Sequence, residues 1–183
     1  LQVGSNGSIG ITGKVDAANP GNDLNLIAVN GAITIGGAVG SGAIAMGDLI
    51  ASGNTSFKVG GAVTSAALQL TNFATTINFD DAVKVTGTNN PLNVSVPGTI
   101  SFSKNIEMTD PGANMVVQST GNGDVSVAGN IAGKLGVLIE TVSGNISLAG
   151  VTNDQSNSGI NILSDTGNIT VNGAVSNSGI GSD

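Results

Sequence analysis

The run G-N-I-S-L-A-G-V-T at Gly144–Thr152 and the run G-N-I-T-V-N-G-A-V that follows it at Gly167–Val175 decide the fold. Ile146 and Leu148 in the first, and Ile169 and Val171 in the second, are apolar at a spacing of two, with Ser147 or Thr170 between them. That alternation describes a strand with one buried face. The same nine-residue unit recurs along the chain at Gly7–Val15, Gly31–Val39, Thr55–Val63, Thr75–Val83, Gly98–Ile106 and Gly123–Ile131. From Gly7 to Gly167 the starts recur at a mean period of about 23 residues, within the range of solenoid repeats.

The unit reads consistently at each position. Its third residue is Ile9, Ile33, Phe57, Ile77, Ile100, Val125, Ile146 or Ile169, and its fifth is Ile11, Ile35, Val59, Phe79, Phe102, Val127, Leu148 or Val171. The residue between them is small or polar, apart from Lys58. The seventh is Gly in six copies (Gly13, Gly37, Gly61, Gly129, Gly150 and Gly173), where the chain is expected to bend. The ninth is Val or Ile in every copy except the one ending at Thr152, so the chain re-enters the core there. A second apolar pair precedes most units: Leu24/Leu26, Leu68/Leu70, Leu92/Val94, Val137/Ile139 and Ile160/Ile162.

A unit of this length cannot bury its own apolar face, so copies must stack. A propeller blade takes about 40 residues, and the helix-forming stretches of a leucine-rich repeat are missing. The expected fold is all-β: a single-stranded parallel β-solenoid (β-helix) of about eight coils of about 23 residues, continuous over residues 1–183. At a rise of about 4.8 Å per coil it makes a rod of roughly 35–40 Å.

Composition narrows the function. Of 183 residues 29 are Gly and 22 Asn; Cys, His, Trp and Tyr are absent, and all five basic residues are Lys. Zinc fingers, thiol nucleophiles, disulfide frameworks and Ser-His-Asp triads are excluded. Five Lys against twelve Asp and Glu, a net charge of −7, leave no footprint for nucleic acid. No apolar run is long enough for a membrane span.

Acidic residues are the remaining candidates for chemistry. Asp80-Asp81 is the one adjacent pair, and it occupies a corner where other copies carry Gly, so a solvated corner is expected rather than an acid–base pair. Lys14, Lys58, Lys84, Lys104 and Lys134 fall at different repeat positions. Asp23, Asp48, Asp110, Asp124, Asp154 and Asp165 are dispersed among loops, and the glycine-rich nonapeptide of calcium rolls does not occur. The reading therefore assigns no catalytic, cofactor-binding or metal-binding residue, no cofactor, and no enzymatic activity.

Asn suits a different task. Stacked amides can form a ladder up one corner, expected in the loops Asn153–Asn161 and Asn168–Asn177. The five N-x-S/T sequons, at Asn6, Asn54, Asn93, Asn145 and Asn168, are what such a composition yields by chance. Phe79 and Phe102 share a repeat position in consecutive coils and should stack inside the rod. Exposed Trp or Tyr for a carbohydrate platform, and a regular Thr-x-Thr array for ice, are both missing.

The units G-N-I-S-L-A-G at Gly144–Gly150, G-N-I-T-V-N-G at Gly167–Gly173 and G-D-V-S-V-A-G at Gly123–Gly129 resemble the β-helical shaft repeats of filamentous-haemagglutinin-type exoproteins and autotransporter passengers. The resemblance covers the whole chain. It implies a bacterial extracellular location, secreted or on the cell surface, and a role in adhesion or as a spacing shaft. The partners it implies are a host or cell-surface receptor or glycan.

Neither terminus reads as a solenoid cap, and the chain opens Leu1-Gln2-Val3 without an initiator Met or signal peptide. The stretch from Gly167 to Asp183 and the stretch before Gly7 together make one mean period, so joining two copies end to end keeps the repeat in register. The segment is expected to be a slice of a longer shaft or a subunit that stacks into a filament through its open edges. The rival expectation is a polysaccharide-binding or polysaccharide-degrading β-helix, which needs two or three acids within about 10 Å on one outer face.

Overall fold

The computed structural model describes residues 1–88, 91–154 and 159–178, without the side chains of Lys134 and Leu135. It is a parallel β-solenoid of about seven turns, with pairing partners roughly 23 residues apart and no helix among the described residues. Each turn lays down strands on three faces. The first face carries the repeat unit itself, as Ile9–Ile11, Ile33–Ile35, Ser56–Val59, Thr76–Phe79, Thr99–Phe102 and Ile169–Val171, with the openings of Val125–Thr141 and Ile146–Asn153. After the glycine bend the chain makes a short second face through Val63–Ser65, Val83–Val85 and Val175–Asn177. Val15 and Val39 join that face as isolated bridges. The third face holds Gln2–Ser5, Leu24–Ala28, Leu49–Gly53, Leu68–Thr71, Leu92–Val96 and Ile160–Ser164.

Register follows the repeat. Ile33 pairs with Ile9 below it and Phe57 above it, and Ile100 with Ile77 and Val125. Equal positions therefore form columns, and the inward columns are buried throughout the middle coils. Strands that pair in parallel and feed one interior need apolar residues on one side only, which the alternation supplies.

The copy starting at Gly144 departs from the sequence-based expectation. Val151, not Thr152, pairs with Ile131 and Val175 and is buried. The register shift between Val127 and Asn130 absorbs a unit one residue short, and moving the pairing by one turns every side chain over. Three third-face strands fall outside the apolar pairs read from the sequence: Gln2–Ser5, Leu49–Gly53 and the second half of Ile106–Ser119. In the last two the inward residues are Leu49, Ala51 and Gly53, and Met115 and Val117.

Phe79 and Phe102 stack as expected, with ring centroids 4.8 Å apart and planes 4° from parallel. Phe57 tilts against Phe79 at 5.8 Å and against Phe73 at 5.6 Å. Phe73 belongs to no repeat column. Asn72 before it adopts φ 67°, a left-handed turn that Asn tolerates, and swings Phe73 fully inside. Its ring fills the space where a Cβ on Gly53 would stand 3.2 Å from Phe73 Cδ1, so Gly53 and Phe73 are coupled choices.

A few polar side chains share the interior: Ser65, Ser119, Thr141 and Asn153. Thr141 Oγ1 donates to Gly144 O (2.7 Å) and bonds Ser164 Oγ (3.1 Å), and Ser119 Oγ donates to Pro97 O (3.4 Å). Ser65 Oγ has no partner among the described residues.

Candidate functional site

Several acidic side chains tie neighbouring coils together. Asp80, half of the one adjacent acidic pair, meets Lys58 at 2.8 Å, while Asp81 accepts the N–H of Ala82 at 2.8 Å. Lys84 and Glu107, on neighbouring rungs of the second face, pair at 3.0 Å. Asp23 Oδ1 accepts the N–H of Asp48 (2.9 Å), one coil on, and Asp154 Oδ1 accepts Ser178 Oγ (2.8 Å). Asp110 lies in the irregular stretch between Met108 and Ala113, and Asp165 follows Ile160–Ser164. Asp16 pairs with Lys14 at 2.9 Å and accepts from Ser41 Oγ and Gly42 N. The Lys14 bond is the main cause holding the Asp16 carboxyl below its ordinary value; the Ser41 and Gly42 donors add to it and desolvation opposes it.

Among the described residues no three acidic side chains gather where a metal ion could sit. The surface grooves are shallow. One of about 380 Å³, between Glu107, Met108, Thr109, Ala132, Gly133 and Asp154, brings two carboxyl residues to one place. Both carboxylates are engaged there, Glu107 by Lys84 and Asp154 by Ser178.

Amide ladders climb the corners. Asp124 Oδ1 accepts the N–H of Asn145 (2.6 Å), and Asn145 Oδ1 accepts the N–H of Asn168 (3.0 Å). Lower on the same corner, Ser8 Oγ accepts the N–H of Ala32 (3.2 Å). In each of these bonds a side-chain oxygen in one coil caps a backbone donor in the next. A second ladder runs from Asn105 Oδ1 to the N–H of Asn130 (2.9 Å). Asn168 thus belongs to a ladder as expected, one that runs down to Asp124, and Asn153 and Asn177 are register partners on neighbouring coils. Asn157, in the other loop of interest, lies outside the described residues. Gln118 joins coils on the third face, donating from Nε2 to Glu140 Oε2 at 2.7 Å.

The inward columns lose their cover at the two ends of the described rod. Within the rod the first-face columns are fully buried, as at Ile33, Ile77 and Ile146. At the C-terminal end of the described rod, Ile169 is 45% exposed and Val175 50%. At the N-terminal end, Val3, Ile11 and Val15 are only partly covered. Each end rung pairs on one side only among the described residues, leaving an open parallel edge. No helix is long and apolar enough to cross a membrane. The chain matches no family model, and no significant match is found among curated proteins or solved structures.

Proposed function

We propose that this chain is a non-enzymatic structural rod of a secreted or cell-surface bacterial protein, serving as an adhesin shaft or extracellular filament component that joins end to end. The observation that carries the reading is the contrast between ends and middle: columns sealed in the inner coils lie open at Ile169 and Val175. Stacking another rung on an open edge pairs its backbone groups and buries those side chains, as each inner coil already does. The use of Asp80, Glu107, Asp124 and Asp154 as coil-to-coil ties supports a mechanical rather than a chemical role. The resemblance of the Gly144 and Gly167 units to exoprotein shafts supports the surface location.

Electron microscopy of the purified 183-residue protein across a concentration series tests this reading. Rods longer than one solenoid, lengthening with concentration, are expected. Single particles at every concentration would refute self-association. Hydrolysis or retention of a polysaccharide, abolished by Glu107→Gln with Asp154→Asn, would favour the carbohydrate-active alternative instead.

A further inference from the structure

The N-terminal edge carries the imprint of a rung that would lie beneath it. At the first position of the unit, a Cβ added to Gly31, Gly123, Gly144 or Gly167 would run into the backbone of the coil before it. At the seventh position the same holds for Gly37, whose Cβ would lie 2.7 Å from Gly13 C, and for Gly61, whose Cβ would lie 2.6 Å from Ala38 N, whereas at Gly150 the near backbone is Ala174 of the following coil. Glycine at these corners lets one coil's backbone sit directly on the last. Two copies place Thr55 and Thr75 at the first corner, where Thr75 bonds Thr55 O through both N–H and Oγ1.

The lowest unit keeps both glycines without that need. A Cβ on Gly7 would meet only Ser5 Oγ, at 3.9 Å, and one on Gly13 would meet nothing within 4 Å. Both would point away from the rod, into the place where a preceding rung's backbone would run. The opposite end supplies a complementary surface. The unit Gly167–Val175 repeats the first- and seventh-position glycines, and Asn168 stands at the top of the corner ladder. Its side chain is of the kind that, one coil lower, caps the N–H above it, and the donor at that position in the lowest unit is Ser8 N.

We infer that the N-terminal edge receives the C-terminal rung of a second copy, Gly167–Val175 seating on Gly7–Val15 in the register by which Gly144–Gly150 already carries Gly167–Gly173. The inference rests on the end-to-end reading above and adds its partner and register.

The test is Gly7→Val combined with Gly13→Val, assayed by sedimentation and by thermal unfolding at a concentration where single rods dominate. In an isolated rod both new side chains face solvent, so unfolding should not shift. End-to-end association should weaken by at least about 30-fold, the scale of one interface hot spot. Asn168→Ala, at the other end, should weaken it less. Wild-type protein that stays single would overturn the end-to-end reading itself, and is the result a preceding coil of a longer chain would give. Wild type that associates while the glycine variant associates equally well would overturn the register alone. A variant that unfolds earlier would overturn the placement of Gly7 and Gly13 on an open edge.

Discussion

Removing the Phe79 ring tests whether the rod stands on its inward columns. Phe79 is fully buried between Phe102, stacked at 4.8 Å, and Phe57, tilted at 5.8 Å. Phe79→Ala loses the transfer energy of the ring and leaves a cavity in a narrow interior with little room to collapse, which costs about 3–5 kcal/mol. The coupling to each neighbouring ring, about 0.5–1.5 kcal/mol, is part of that cost. With a urea dependence of about 2 kcal/mol/M, the midpoint should fall by roughly 2 M. The chain has no Trp or Tyr, so the measurement is far-ultraviolet circular dichroism rather than indole fluorescence. Ile169→Ala serves as the comparison, because its side chain is already 45% exposed and its loss should cost less than about 1 kcal/mol. A double-mutant cycle of Phe79→Ala with Phe102→Ala should return a coupling of about 1 kcal/mol. If Phe79→Ala shifts the midpoint no more than Ile169→Ala, the columns do not hold the solenoid together and the reasoning fails.

Other expectations follow from the polar ties. Ser65→Ala removes a buried hydroxyl without a partner among the described residues and should stabilise the rod by about 1 kcal/mol, read from the same urea curves. Asn145→Ala deletes the acceptor for Asn168 N–H and should cost about 0.5–1.5 kcal/mol, with faster hydrogen exchange at Asn168 and at few other amides. Because the folded protein holds the Asp16 carboxyl below its ordinary value, its contribution is complete above about pH 4 and is lost as pH falls through the lower folded value. Asp16→Asn should therefore flatten the acid limb of the stability profile below about pH 4.

Much of the fold was legible because a solenoid converts sequence period directly into spatial neighbourhood. Ile77 and Ile100 hold the same position in successive repeats and are direct partners on paired strands, so aligning the repeats already places them. The failures have local causes. A nine-residue unit makes Thr152 the inward residue, but this copy is one residue short and Val151 turns inward instead. The strand Leu49–Gly53 presents Leu, Ala and Gly to the core, too little apolar volume to stand out, since Phe73 from a neighbouring loop occupies the remaining space. Phe73 itself gives no periodic signal, because a left-handed Asn72 rather than strand alternation turns it inward. For the acids, the sequence indicated dispersal, but not that Asp80 answers Lys58 or Asp154 answers Ser178.

By itself the sequence determined which residues share most of the columns and which side of most strands faces inward. Both depend on two periods, the alternation within a strand and the length of a coil, which survive substitution of almost any individual residue. Tertiary structure decided what passes between coils: the ladder from Asp124 to Asn168, the ion pairs across rungs and the plugging of Gly53 by Phe73. These depend on how much chain each loop takes up, which differs from one turn to the next. Tertiary structure also separated the corner glycines that are sterically required from Gly7 and Gly13, which are not. Gly7 and Gly144 occupy the same place in the repeat, and only the presence of a coil beneath one of them distinguishes their surroundings.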